Sequence, residues 1–390
     1  MECPACHHDG MSCFFEIDRV PVFCNVLWPS LGQALAAPRG GIRLAFCTEC
    51  GLIYNVAFDP SLTVYAPAYE NSLHFSARFQ EYAENLSRRL VERYHLYGKD
   101  IVEIGCGRGD FLATLCRTGN NRGVGFDPAY DGDGAGKAPN HPVTILPETF
   151  SAVHARYPAD LICCRHVLEH VARPLEFLLE VRHAIGDRRN AAVYFEVPNT
   201  LYTLKDMGVW DIIYEHCSYF TPSSLARLFR RARFGHVEVA VEYEGQFLSV
   251  QGHPVAGDAP TTRRQESAED DVPVLTRKFH AAHAEKLAEW RDRMLGLQQD
   301  GARTVLWGGG SKGVTFLNVL NVSDQVIRYV ADINPRKRGR FVPGTGQRVV
   351  APRFLRRYRP DVIIVMNPVY LQEIRRMLQE LGVCAELLVA

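Results

Sequence analysis

Residues 98–119 read "GKDIVEIGCGRGDFLATLCRTG", and this stretch decides the fold. The apolar run Ile101 to Ile104 has the length and branching of a buried strand. It breaks into Gly105-x-Gly107-x-Gly109, and a helical pattern follows. Strand, glycine turn and helix in that order open a doubly wound α/β unit. The glycines let backbone approach a ligand closely. Glu103 ends the strand with its carboxylate in the cleft. A second strand, "NRGVGFDPAY", ends in Asp127, and an acidic residue about twenty positions on is placed to take ribose hydroxyls. A further strand lies in "ADLICCRHVLEHV". The spacing is not the dinucleotide GxGxxG, so no phosphate needs cradling at this turn.

The same grammar returns near the other end. "TVLWGGGSKGVTFLNVL", Thr304–Leu320, is again strand, glycines and helix. "IRYVADINP" ends a strand in Asp332, and "RPDVIIVMNPVY" supplies another. The turn is not a phosphate loop of the G-x-x-x-x-G-K-[ST] kind. Free N–H groups at a helix N-terminus still favour an anion. Ser311 and Lys312 add a donor and a charge, and "INPRKRGRFVPG" brings Arg336, Lys337, Arg338 and Arg340 nearby in sequence. Singly, these arginines read as a solvated loop; with the glycine turn they suit a diphosphate-bearing substrate.

The totals set limits. At 390 residues the chain is too long for one ordinary core, so two or three domains are expected. Apolar content of 47% and charged content of 23% are those of a globular protein. A formal net charge of zero gives no argument for nucleic acid or an anionic membrane as partner. No apolar run reaches the roughly 18–20 residues of a membrane span, and "MECPACHHDG" lacks the features of a secretory leader. A cytoplasmic protein is expected.

Two knuckles, Cys3-x2-Cys6 and Cys47-x2-Cys50, bring four thiolates together in a tetrahedral S4 pattern. Such a set leaves no open position, so it reads as structural zinc. A redox CxxC is the rival, but that motif wants a thioredoxin-like context. His7, His8, Cys13 and Cys24 are read as bystanders, and Cys106, Cys116, Cys163, Cys164 and Cys384 as small hydrophobes. Four segments follow: a zinc-binding domain at 1–70, an α/β domain at 71–255, a linker and helix at 256–300, and a C-terminal Rossmann-like domain at 301–390. The polar stretch "VAGDAPTTRRQESAEDDVPVL" is the linker, and "LTRKFHAAHAEKLAEWRDRMLGLQQ" the helix.

"VEIGCGRGDFL", "GVGFDP" and "DLICCRHVLEHVARPLEFL" together resemble the class I S-adenosylmethionine-dependent methyltransferases. That resemblance places Glu103, Gly105 and Gly107 along the methionine portion of the cofactor. It places Asp127 on the ribose diol and Glu148, in "TILPETF", against the adenine. His166 lines the cofactor or substrate cleft. "HVLEH" also fits the H-x-x-E-H zinc-protease pattern, but that chemistry needs both histidines on one helical face and a third ligand, and here the motif follows a buried strand.

Zinc module, methyltransferase domain and trailing Rossmann-like domain, in this order, resemble the nucleotide-sugar C-methyltransferases over nearly the whole chain. The implied fold is an α/β class I methyltransferase domain flanked by a small zinc-binding domain and a C-terminal Rossmann-like α/β domain. The implied reaction methylates a carbon beside the ketone of an NDP-linked deoxy-keto-sugar. "VYAPAYENS" resembles the family's Tyr-rich lead-in, "IYEHCSYFTPSSLARLF" its segment with the catalytic histidine, and "ADINPRKRGRFVPG" its C-terminal signature. By this resemblance His216 is the general base, Glu215 orients it or a sugar hydroxyl, and Tyr214 or Tyr69 donates to the enolate oxygen. Ser311, Lys312, Asp332 and Arg340 bind substrate. A histidine's ordinary pKa of about 6.5 suits the base. The family reads Tyr-His-Glu-His where this chain reads Ile213-Tyr214-Glu215-His216, so its tyrosine falls on Ile213. A buried aromatic strand with one satisfied histidine is the plain alternative for "WDIIYEHCSYF". O- or N-methylation of another small metabolite, a zinc-containing scaffold with a vestigial cofactor site, and a nicotinamide oxidoreductase are the remaining alternatives.

Overall fold

The computed structural model describes residues 1–63, 68–132, 143–255 and 271–390. Residues 256–270 of the expected linker therefore lie outside the described residues. Strand β1 (Met11–Pro21) pairs antiparallel with β2 (Arg39–Cys47), with helix α1 (Leu31–Leu35) between them, and β2 pairs with β3 (Ile53–Asn55). Met11 stands opposite Cys47 in this register. The long insert between the two knuckles is thus a hairpin that returns the second knuckle to the first.

Helix α2 (Ala77–Tyr94) follows. Its Ser76 side chain caps the Phe79 N–H, and Phe79, Ala83, Leu86 and Leu90 form its buried stripe. Then come β4 (Asp100–Ile104), α3 (Asp110–Gly119), β5 (Arg122–Phe126), β6 (Val143–Leu146) and β7 (Leu161–Arg165). Next are α4 (Pro174–Ile185), β8 (Ala192–Pro198), α5 (Thr200–Lys205), β9 (Ser218–Tyr219), α6 (Pro222–Arg231), β10 (Phe234–Glu242) and β11 (Phe247–Pro254). The central sheet runs β6-β5-β4-β7-β8-β11-β10. Strands β4 to β8 are parallel, and β11 enters antiparallel between β8 and β10. The strand order reverses beside β4, and the crevice at the carboxyl ends there is where α/β sheets place ligands. At Gly105, φ is +69° and a Cβ would stand 2.1 Å from a Val167 methyl, so this position requires glycine.

Helix α7 (Val272–Gln299) starts earlier than its apolar spacing suggests. Asp271 caps the Val274 N–H at 3.0 Å and Pro273 sits in the first turn, so "DVPV" is a helix start rather than linker. The last unit comprises β12 (Thr304–Trp307), α8 (Ser311–Val319), β13 (Tyr329–Ala331), β14 (Arg348–Val350), α9 (Leu355–Tyr358), β15 (Val362–Val365), α10 (Leu371–Glu380) and β16 (Glu386–Val389). Its sheet is parallel throughout, in the order β14-β13-β12-β15-β16. At Gly313 a Cβ would meet the Gly308 carbonyl at 2.0 Å, so α8 can close onto its turn only with glycine there.

The segments do not pack as beads. Strand β9 belongs to the N-terminal sheet, pairing with β3, although the chain around it belongs to the central unit. One core joins Phe15 and Ile42 of the N-terminal sheet, Trp210 and Ile212, Phe279 and Trp290 of α7, and Leu306 and Phe316 of the C-terminal unit. Trp210 and Trp290 both meet the Phe316 ring edge-on, at 4.9 and 5.2 Å between centroids. Such pairs contribute about 0.5–1.5 kcal/mol beyond their buried area. Among the described residues no helix is long and apolar enough to cross a membrane.

Candidate active site

Two cavities open where the sheets present their carboxyl ends. The first, of about 240 Å³, lies over β4 and β5. Glu103, Gly105, Gly107, Asp110 and Asp127 line it. Burial pushes the Glu103 carboxyl up to about 8, against the pull of Arg165, and its Oε2 has no hydrogen-bond partner. A buried acceptor of this kind is costly unless a ligand satisfies it. Asp127 accepts the Gly107 N–H on Oδ2 and the Ala129 N–H on Oδ1, both at 2.8 Å. Burial raises its pKa and those two bonds lower it. Glu148 is not part of this wall. Its carboxylate pairs at 3.0 Å with Nε2 of His154, a ring packed on Phe126, and its side chain is half exposed.

The second cavity, of about 280 Å³, lies between the central and C-terminal sheets. His216, Ile213 and Asp211 line one side, and Trp307, the 308–313 turn and Asp332 the other. Tyr69, His166 and His170 line both cavities, so the two spaces meet at these side chains.

His216 stands in the second cavity beside that junction, its ring 4.8 Å from His170. Burial holds its pKa well below the ordinary value, and His170, His166 and Lys312 push the same way. The imidazole is therefore neutral at pH 7 and can accept a proton. His170 is a site residue that sequence reasoning passed over as structural. Its Nδ1 lies 2.9 Å from the Glu215 carbonyl, which ties the two segments together.

The Glu215 carboxylate turns toward the N-terminal segment. Its Oε2 accepts the Cys24 N–H at 3.0 Å, in the N-terminal segment, and Tyr69 and Asn25 lie beside it. Burial pushes this carboxyl up to about 7. Glu215 thus serves the wall that carries Tyr69. Asn25 donates to the Tyr69 hydroxyl at 3.4 Å, and that hydroxyl reaches the junction. Tyr214 faces away from both cavities. Its hydroxyl takes the Asp59 N–H at 2.9 Å, its ring packs against Phe58 and backbone at Gly40, and it lines neither cavity. Ile213, not Tyr214, presents its side chain to the substrate space. Only Ser218–Tyr219 of "WDIIYEHCSYF" is strand; Val209–Asp211 is a 3₁₀ turn.

His166 takes φ of +55° and lies between Glu196, 3.0 Å from Nε2, and Glu169, 3.6 Å from Nδ1. The Nε2 contact is an ion pair without the alignment of a hydrogen bond. Burial opposes its charge, but the two carboxylates outweigh burial and push it up to about 9. Arg165 grips Glu196 through Nε at 3.1 Å and Nη2 at 2.8 Å, and Tyr194 and Tyr82 donate to the other carboxylate oxygen. This network under the junction was missed in sequence. Its signal was a charge inside each of two apolar strands, Arg165 in "LICCR" and Glu196 in "YFEVP". "HVLEH" forms a strand exit and a short 3₁₀ turn, not an α-helix.

Of the four C-terminal candidates, Ser311, Lys312 and Asp332 line the cavity and Arg340 does not. Arg340 is exposed. Lys312 pairs with Asp211 and sits 5.4 Å from the Tyr202 ring, so its charge is already matched. Asp332 takes the Gly309 and Asn334 N–H groups, both at 2.8 Å, with Lys337 at 3.8 Å. Across the cavity, the Gln246 and Asn367 amides exchange two hydrogen bonds at 2.9 Å and fasten the central unit to the C-terminal one.

At the N-terminus the four thiols of Cys3, Cys6, Cys47 and Cys50 are buried within 4.8 Å of one another. Sγ–Sγ distances are 3.6 Å for Cys3 and Cys50 and 3.5 Å for Cys6 and Cys47. A tetrahedron of sulfurs around zinc has edges of about 3.8 Å, so the cluster fits that ion.

Residues 74–239 match a family model described as a methyltransferase domain, and residues 250–385 one described as a C-methyltransferase C-terminal domain. The chain is 25% identical over 389 residues to the C-methyltransferase NovU of Streptomyces niveus, spanning 96% of this chain and 91% of that protein. A methyltransferase structure from Listeria monocytogenes, described as a possible S-adenosylmethionine-dependent enzyme, is 11% identical over 45% of this chain and all of its own, with a TM-score of 0.36. The magnesium protoporphyrin IX methyltransferase of Synechocystis, with bound S-adenosylhomocysteine, is 15% identical over 48% of this chain and 89% of its own, with a TM-score of 0.35.

Proposed function

The chain belongs to the S-adenosylmethionine-dependent methyltransferases and carries a C-methyltransferase C-terminal domain, and on that footing we propose that it methylates the carbon beside the ketone of an NDP-linked deoxy-keto-sugar, with His216 as general base. One observation carries this reading: the two cavities meet at Tyr69, His166 and His170, with His216 on the side away from Glu103 and Asp127. The first cavity has Asp110, Asp127 and Asp131 in its wall, which suits a ligand carrying positive charge. The cofactor, when bound there, supplies an electrophilic methyl on a sulfonium. Glu103 offers an acceptor to it, and Asp127 faces its ribose.

A carbon beside a ketone is a weak acid, so removal of its proton needs a base and a stabilised oxygen. The neutral His216 imidazole takes the proton. The Tyr69 hydroxyl, held by Asn25, donates to the developing oxyanion. The carbanionic carbon then takes the methyl across the junction. The helix α8 N-terminus with Ser311, and Lys337 beyond it, supports a diphosphate on the C-terminal side. Zinc in the four-cysteine cluster is structural in this reading, since four thiolates leave no position for substrate. A cytoplasmic setting goes with it, because reducing conditions keep such thiols available.

A panel of nucleotide-linked keto-sugars with methyl-labelled cofactor tests the substrate class. Carbon NMR should place the new methyl on carbon; an O–CH3 resonance, or no turnover of any member, would sink the proposal.

A further inference from the structure

We propose that Glu169, His170 and His216 form a second metal site, for a divalent transition ion of the zinc and cobalt class, at the junction of the two cavities, and that its occupation switches methyl transfer off. The ligand atoms of these three side chains all lie within 4.8 Å of one another. Glu169 is only 1% exposed, and its Oε2 has no hydrogen-bond partner. An uncompensated buried carboxylate oxygen is costly, and a cation removes that cost.

The histidines are prepared as ligands. The Glu215 carbonyl can only accept, so the His170 Nδ1 beside it at 2.9 Å carries the hydrogen. Nε2 then holds the lone pair. Fixing one ring nitrogen on a backbone carbonyl while the other ligates is how proteins orient metal-binding histidines. The His216 ring stands 4.8 Å from that of His170. Two imidazoles and one carboxylate are a donor set for zinc, cobalt, manganese or ferrous iron, and three protein ligands leave positions open. All three residues line the substrate cavity, so the open side faces substrate. Arg165 pairs with Glu196 and Lys312 with Asp211, while His166 lies between Glu196 and Glu169, its Nδ1 3.6 Å from the Glu169 Oε1, which leaves Oε2 to the ion.

The functional consequence rests on His216 being the base. A metal and the substrate proton compete for one imidazole lone pair. A chain with the metal bound therefore binds cofactor but cannot deprotonate substrate, and a chelator restores activity.

The test starts from full-length protein with one zinc in its cysteine cluster, titrated with cobalt(II) without substrate. A second equivalent should bind with visible d–d absorption and no sulfur charge-transfer band. His170→Ala and Glu169→Gln, checked for folding by near-ultraviolet circular dichroism, should each weaken that equivalent by about tenfold or more. Absence of a second equivalent in the wild type, or unchanged binding in both variants, overturns the site. Undiminished transfer by wild-type protein with the second equivalent bound overturns the switch. The metal count needs no substrate, and the α-proton exchange that tests His216 as base needs no metal, so either reading can fail without the other.

Discussion

In the central sheet the Asp127 carboxylate takes the Gly107 N–H at 2.8 Å; in the C-terminal sheet the Asp332 carboxylate takes the Gly309 N–H at the same 2.8 Å. Each aspartate ends the second strand of its unit, and each glycine follows the first. The surroundings differ. Beneath the first turn stands Glu103, a buried acid with a free oxygen; at the matching position of the second stands Leu306, buried and apolar. Three glycines of the first turn have positive φ, at 105, 107 and 109, whereas in the second only Gly308 does. Lysines 312 and 337 approach the second turn. One backbone device is therefore set in two surroundings of opposite character, because side chains outside the device set the charge.

The largest break in this comparison comes from the residue between the two turns. His216→Ala should slow methyl transfer by about 10²–10⁴-fold and abolish α-proton exchange of the substrate in heavy water, measured without cofactor. Unchanged exchange removes His216 as base. Phe316→Ala should cost about 3–5 kcal/mol of stability, read by denaturant unfolding, because Trp210 and Trp290 both pack on that ring. A purely local C-terminal loss, with the N-terminal sheet intact, would deny the shared core.

The aspartates separate the two turns directly. Asp127→Ala should weaken cofactor binding by about 10–100-fold in calorimetry and leave substrate affinity alone; Asp332→Ala should do the reverse. Equal effects of both variants on both ligands would erase the distinction.

The smallest expected effect is a pH dependence on one side only. The folded Glu103 holds its proton up to about 8 against an ordinary value of 4.5. Below 4.5 the group is protonated in both states. As pH rises to 8 the unfolded chain ionises freely while the folded chain resists, so this group's stability contribution falls across that window. Glu103→Gln should flatten the fall in melting temperature between pH 5 and 8. An unchanged slope would mean the carboxyl is solvated after all.

Much of the fold was legible. Both glycine turns, both strand-terminal aspartates and both cysteine knuckles stand in sequence as local patterns, and the structure builds a parallel unit on each turn. Helix α7 was legible in its apolar spacing, though its start at Asp271 needed the cap to be noticed. The site was legible only in part. His216, Tyr69, Glu103 and Asp127 reach the cavities, whereas Tyr214, Glu148 and Arg340 are turned elsewhere by Asp59, His154 and solvent. His170 and the Arg165–Glu196 pair went unread, since nothing local marks a histidine that gains its partner 45 residues away.

What the sequence determined by itself is whatever one strand and its turn decide: the glycine φ angles, the helix starts, the CxxC spacing and the two Rossmann-like units. What only the tertiary structure decided is direction. A side chain in "IYEH" points to the second cavity or to the N-terminal segment according to how β9 leaves the central unit and pairs with β3. That pairing joins residues more than 160 positions apart, and it puts Ile213 and His216 on the cavity side while Tyr214 and Glu215 face the N-terminal segment. The physical reason is that a short irregular segment has no periodicity of its own. Its facing is set by the surfaces it must bury, and those come from distant parts of the chain.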